Sequence, residues 1–155
     1  MDISLKAREY AFLLLKYRLR SEKEIRDRLR RKKFPENIIR ETVLFLKEKK
    51  FLDDKVFARV WINSRLKKPL GLRRIRQELK VKGIEEEIIN HRIGEARKSY
   101  PESEVIELLA LARIAKQKGV EPVKARNRTF AYLIRRGFSP EIIAEVLGKI
   151  CRQTS

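Results

Sequence analysis

One cysteine, one histidine and six glycines are all that 155 residues offer of three residue types on which much protein chemistry depends. The lone Cys151 excludes an internal disulfide and leaves no thiol cluster for zinc, so it is expected to pack as a small apolar side chain. The glycines stand singly, at 71, 83, 94, 119, 137 and 148, which excludes the phosphate-cradling loop of nucleotide hydrolases and a dinucleotide fingerprint. His91, within Ile89-Asn90-His91-Arg92-Ile93, has no Cys or Ser nucleophile placed for a triad and reads as a polar-face residue. No run of eighteen apolar residues occurs, and Met1-Asp2-Ile3-Ser4-Leu5-Lys6 lacks the basic-then-apolar order of a secretion signal. The expectation is a soluble, cytoplasmic protein that is not an enzyme, with no catalytic residues, no metal ligands and no cofactor.

Acidic residues are also scarce relative to basic ones. There are 21 against 39, a net charge of +18. The excess is spread along the chain: 16 basic minus 8 acidic through Leu52, 13 minus 7 from Asp53 to Pro101, and 10 minus 6 beyond. A field of this size attracts polyanions, nucleic acid foremost. A membrane surface is the weaker candidate, because the basic helices lack a broad exposed face rich in Trp and Phe.

What is present is repetition. Ile25, Leu29, Phe34, Ile38, Ile39 and Val43 fall on Ile75, Leu79, Ile84, Ile88, Ile89 and Ile93 when shifted by fifty positions. A shift of one hundred and four places Leu29, Phe34, Ile38, Ile39, Val43 and Leu46 on Leu133, Phe138, Ile142, Ile143, Leu147 and Ile150. Modules this small need neighbours to bury their apolar faces. The apolar spacing is helical almost throughout. The fold class is therefore all-α: three tandem three-helix repeats, at 1–52, 53–100 and 101–155, forming an elongated, curved helical array.

Local signals place the helices. Ala7, Tyr10, Ala11, Leu14 and Tyr17 form one stripe of a first helix ending near Arg20, and Ser21-Glu22-Lys23-Glu24 has the spacing of a capping box. Gly83 and Gly137 each follow a helix, where a left-handed residue caps the freed carbonyls. Lys33 holds that position in the first repeat and is expected to be strained there. Asp53-Asp54 resembles a metal or acid-base pair but reads as an N-cap, and Glu85-Glu86-Glu87 as carboxylates favoured at a helix's positive end. Lys67-Lys68-Pro69-Leu70-Gly71 and Gly119-Val120-Glu121-Pro122 break helices, and Tyr100-Pro101 opens the third repeat. Tyr10, Phe12, Tyr17, Phe45, Phe57 and Trp61 sit in apolar surroundings and read as core, so base stacking is not expected.

The second helix of each repeat carries the cations. In the first, Asp27, Arg30 and Arg31 point away from the Ile25/Leu29 stripe while Arg26, Arg28 and Lys33 flank it. The second offers Arg73, Arg74, Arg76, Lys80 and Lys82, and the third Lys124, Arg126, Arg128, Arg135 and Arg136. Arginine suits forked hydrogen bonding to phosphate or carboxylate. The expected binding residues are Arg26, Arg30, Arg31, Arg73, Arg74, Arg76 and Lys80, followed by Arg135 and Arg136.

Four stretches resemble one known family. They are Leu14 to Ile25; Phe51-Leu52-Asp53-Asp54-Lys55-Val56-Phe57-Ala58-Arg59-Val60-Trp61; Gly71 to Ile84; and Arg135-Arg136-Gly137-Phe138-Ser139. In this order they are similar to the RecX family of bacterial regulatory proteins, the middle repeat being the most specific part. The resemblance implies a regulator that binds the RecA recombinase and lodges in the groove of its filament on single-stranded DNA. It would suppress ATP hydrolysis, strand exchange and coprotease action in recombination, DNA repair and the SOS response. The expected partners are RecA, its filament, and single- or double-stranded DNA through phosphate contacts; separately, the protein is expected to be a monomer. A sequence-independent nucleic-acid binder and a helical adaptor for another acidic protein are the alternatives.

Overall fold

The helical periodicity is realised as nine helices among residues 2–154, which the computed structural model describes; no strand occurs among them. They are α1 (Ile3–Tyr17), α2 (Glu22–Arg31), α3 (Glu36–Glu48), α4 (Asp54–Leu66), α5 (Leu72–Val81), α6 (Glu86–Ser99), α7 (Glu102–Ala115), α8 (Pro122–Arg135) and α9 (Pro140–Thr154). The capping box forms as its spacing requires. Ser21 Oγ accepts from the Glu24 amide (3.2 Å) and the Glu24 carboxylate accepts from the Ser21 amide (3.1 Å).

The joint after each second helix has one hydrogen-bond pattern. Lys33 N donates to Arg30 O (2.8 Å) and Phe34 N to Leu29 O (3.2 Å); Gly83 and Ile84 repeat this onto Lys80 and Leu79, and Gly137 and Phe138 onto Ile134 and Leu133. This is a Schellman closure, which demands a left-handed residue. Gly83 (φ 79°) and Gly137 (φ 93°) supply it without a Cβ, and Lys33 (φ 64°) supplies it under strain. Lys50 (φ 63°) ends α3 in the same way, a site the sequence pattern does not mark. Lys33→Gly relieves about 1 kcal/mol of strain, less the added freedom of the unfolded chain, so its melting temperature should rise by about 2 °C. A fall in a thermal melt contradicts this reading.

The chain packs as two compact units. The first comprises Met1–Trp61 and Leu79–Arg92, the second Ile62–Glu78 and Ile93–Ser155. In the first, Ala7, Ala11 and Leu14 of α1 meet Ile25 and Leu29 of α2 and Ile38, Ile39, Val43 and Leu46 of α3. The small residues of α1 allow close approach of the helix pair, and the branched side chains opposite fill the space. In the second, Ile106 and Ala110 of α7 pack with Leu133, Phe138, Ile143, Val146, Leu147 and Ile150, all buried.

Tyr17 is not the core residue its place in the stripe predicts. It is 79% exposed. α1 stops at Tyr17 and Arg18 is extended (φ −167°), short of Arg20, so the last residue of the stripe has no partner turn to cover it. Phe57 is buried, whereas Tyr10, Phe12, Phe45 and Trp61 are half-buried. Phe12 meets Phe45 and Phe51 edge to face. Cys151 lies half-buried on α9 and is engaged by a neighbour.

Candidate binding faces on the second helices

In the first unit, adjacent carboxylates anchor the N-termini of two helices, α4 and α2. Asp53 caps its own helix by accepting from the Lys55 amide (2.9 Å), while Asp54 Oδ1 accepts from the Glu22 amide (2.9 Å) and so satisfies an orphan donor of α2. Burial pushes the Asp54 carboxyl up, against the pull of that amide. The Asp53-Asp54 pair thus works as two caps on two helices. Among the described residues no group of three His, Cys, Asp or Glu could hold a metal ion. His91 is exposed, as its polar-face reading requires.

Ser21 Oγ also donates to Lys82 O (2.7 Å), and Lys23 Nζ to Val81 O (3.2 Å), which ties the start of α2 to the end of α5. Glu24 is the hub of this joint. Its carboxylate accepts from Arg18 and from Lys82 Nζ (3.2 Å), with an Arg20 guanidinium nitrogen at 4.0 Å. Burial alone would raise its pKa; the Arg18 hydrogen bond, the Ser21 amide and the Lys82 and Arg18 charges overcome that and hold the carboxyl below its ordinary 4.5. A carboxyl depressed in the fold stabilises fully above its unfolded pKa, and the benefit is lost as pH falls through the folded value. Glu24→Gln should therefore lower stability by about 1–2 kcal/mol at neutral pH, with the difference from the parent shrinking in denaturant titrations as pH falls below the ordinary carboxyl range and the carboxylate is protonated. A gap independent of pH would contradict the ionic contribution.

The second unit makes the corresponding joint through direct backbone hydrogen bonds. Gly71 N donates to Arg136 O (2.9 Å) and Arg73 N to Gly137 O (3.1 Å), so the positive end of α5 meets the negative end of α8. Gly71 occupies the place of Ser21 in the repeat register, and the missing side chain lets the two backbones touch. The Arg136 guanidinium donates to Lys68 O (2.6 Å) and Pro69 O (3.3 Å) and lies 5.8 Å from the Tyr132 ring. Tyr100 Oη donates to Leu70 O (3.0 Å), and burial, assisted by Glu102, pushes its pKa up to about 12, so the hydroxyl keeps its proton.

These interactions sort the expected binding residues. Arg26 pairs with Glu22 (3.0 Å), Arg30 with Glu36 (2.7 Å) and Asp27 (3.5 Å), Arg74 with Glu78 (3.7 Å) and Lys80 with Glu86 (3.9 Å). Arg76 is half-buried and engaged within the fold, and Arg136 holds backbone carbonyls. Arg31, Arg73 and Arg135 are exposed, and no ion pair of their guanidinium groups is found among the described residues. Each comes from a different second helix. Arg26, Arg30, Arg31 and Lys80 fall in the first unit and the other five in the second, where the close approach of Gly71 and Gly137 brings Arg73 and Arg74 up to Arg136.

The three cationic helices also differ in how far they are neutralised. Glu22 and Asp27 answer cations of α2, and Glu78 lies within α5 beside Arg74 and Arg65. α8 contains no acidic residue, and Glu121 before it is occupied in capping the Val123 and Lys124 amides (3.1 and 3.2 Å). Sequence reasoning gives α8 the lowest weight, and it passes over Arg113 on α7 and Lys116 just past its end. Their three-residue spacing, matched by Arg128, Ala131 and Arg135 at i, i+3 and i+7 on α8, is the signal that could have found them.

The succession of three-helix repeats has counterparts among known proteins. Family models described as the first, second and third three-helix domains of RecX match residues 7–46, 53–91 and 102–147 in order. The regulatory protein RecX of Chlorobium phaeobacteroides (strain BS1) is 37% identical over 148 residues, spanning 95% of each chain. The chain belongs to the RecX family. The regulatory protein RecX of Clostridium acetobutylicum is 33% identical over 153 residues, covering 96% of this chain and 71% of that one. The crystal structure of RecX from Lactobacillus salivarius shares the fold, with a TM-score of 0.85 over 96% of both chains at 24% identity. A second crystal structure, of a regulatory protein RecX, superposes at 0.83 over 94% of this chain and 71% of that one. The family is one of regulatory proteins, and the fold is an all-α array of three-helix repeats.

Proposed function

We propose that this chain binds RecA and its filament on single-stranded DNA and restrains their ATPase, strand-exchange and coprotease activities in recombination, repair and the SOS response. It acts in the cytoplasm as a monomer, by binding and without bond chemistry, with repeats bounded at 1–52, 53–100 and 101–155. The observation that carries this reading is membership of the RecX family together with an exposed arginine on each second helix, Arg31, Arg73 and Arg135, for which no ion pair within 4.0 Å is found among the described residues. No helix among the described residues is long and apolar enough to cross a membrane.

The test is RecA ATPase on preformed filaments with this protein titrated in. Inhibition well below one copy per RecA monomer indicates action at filament ends, and a need for near-equal amounts indicates coating of the groove. Unchanged ATPase at excess protein overturns the proposal. A second reading, a nucleic-acid binder indifferent to sequence, is favoured by the acid-free α8. Phosphate binding alone loses affinity steeply with salt, and an interface with apolar content loses less.

A further inference from the structure

Within the second unit a cleft of about 340 Å³ is lined by Arg113, Lys116, Gln117, Arg128, Ala131 and Arg135. That is room for roughly ten waters at about 30 Å³ each. Four of the six lining residues are cations and none is an acid. No ion pair of these four is found among the described residues, although cations elsewhere on the chain, such as Arg26, Arg30, Arg65 and Lys149, are paired with carboxylates.

The carboxylates of the third repeat are placed away from the cleft. Glu121 caps α8, Glu141 accepts from Ser139 Oγ (2.6 Å), Glu145 pairs with Lys149 (3.4 Å), and Glu102 is half-buried at the start of α7. Glu104 and Glu107 lie in the N-terminal half of α7, and neither lines the cleft. Arg113 and Lys116 gain something from the negative end of α7, but Arg128, in the middle of α8, has no such reason to be there. Gathering four like charges without a counter-charge works against folding.

The cleft is also firmly built. Gln117 Nε2 donates to Arg113 O (3.2 Å), Ala125 O (3.4 Å) and Thr129 Oγ1 (3.1 Å), which pins the end of α7 to α8 beneath the cations. Two of those acceptors are carbonyls, so the orientation of the Gln117 amide is fixed. Arg113 lies 4.5 Å from the Tyr132 ring centroid, which holds its guanidinium over the edge of the site. Ala131 keeps the centre of the stripe shallow.

We propose that this cleft grips the phosphodiester backbone of DNA. Phosphate fits better than a protein carboxylate surface because protein interfaces centre on apolar and aromatic anchors, and the only apolar lining here is Ala131. The inference rests on the DNA-contacting part of the function proposed above and locates it in the third repeat. It requires neither RecA contact nor any of the nine residues expected from the sequence apart from Arg135.

The experiment measures binding of the full chain to labelled oligothymidylate and to a duplex of equal length, without RecA, across a salt series. The variant is Lys116→Gln with Arg128→Gln, both exposed, and the charge-matched control is Lys6→Gln with Lys16→Gln. Affinity should fall on the order of tenfold beyond the control. For each phosphate no longer neutralised, the log–log salt slope should become shallower by about 0.7 on the single strand and about 0.9 on the duplex. The arm that responds identifies the form of DNA bound. A variant that binds both forms like the control overturns the proposal. So does one that keeps DNA affinity while losing inhibition of RecA, which would make the cleft a protein-facing surface. If DNA binding falls as expected while the parent chain leaves RecA ATPase untouched, the cleft stands and the RecA reading falls.

Discussion

Gly71→Ala should lower the melting temperature by on the order of 10 °C, while Gly94→Ala should raise it slightly. A Cβ at Gly71 would lie 2.1 Å from the carbonyl carbon and oxygen of Gly137 and 2.3 Å from the Phe138 nitrogen. All three are backbone atoms, so no side chain can swing aside. The start of α5 would have to lift from the end of α8, breaking the Gly71 N to Arg136 O and Arg73 N to Gly137 O hydrogen bonds. Overpacking together with the rupture of two backbone hydrogen bonds amounts to about 3 kcal/mol or more. Gly94 lies inside α6 with nothing within 4 Å of a built Cβ, so alanine there gains about 0.5–1 kcal/mol of helix propensity. The same substitution thus tests position against composition. Calorimetry in which both variants melt together with the parent would contradict the joint as described.

The joint shows what was legible in the sequence and what was not. The apolar register of Ile25 and Leu29 with Ile75 and Leu79 identified which helix faces are buried, because a helix rotated out of phase would expose them. The left-handed Lys33 was readable because two glycines occupy its place in the later repeats. Gly71 read only as a helix breaker, since its partner Gly137 is sixty-six residues away and nothing local announces that two backbones will meet. Asp54 was legible as a cap but not as a cap for another helix.

The proposed binding residues were legible as a class more than as individuals. Net charge and second-helix placement identified the cations, but the number that stays unpaired depends on acids brought in by folding. Glu36, beyond the turn that ends α2, reaches back to Arg30, and Glu78 is held between Arg65 and Arg74. Glu24 answers Arg18, Arg20 and Lys82, none of them on its own helix. Tyr17 misled because periodicity does not say where α1 stops. The α8 cations received the least weight from the sequence because the repeat register was strongest after Leu133, past Arg128.

The central proposal is that exposed arginines on successive second helices hold a polyanionic filament. The decisive measurement is RecA ATPase inhibition by the Arg31→Glu, Arg73→Glu, Arg135→Glu variant, beside a control in which Lys6, Lys16 and Lys49 become Glu. Each triple reversal changes the net charge by six, from +18 to +12, so bulk basicity is matched. All six positions are exposed, and the folded state should survive in both. Each reversal replaces a guanidinium–anion contact, worth about 1.5–3 kcal/mol when charge-assisted, with repulsion, so inhibition by the arginine variant should weaken by at least about a hundredfold. The lysine control should inhibit within a few-fold of the parent. Full inhibition by a folded arginine variant, or equal loss in the two, would contradict the account.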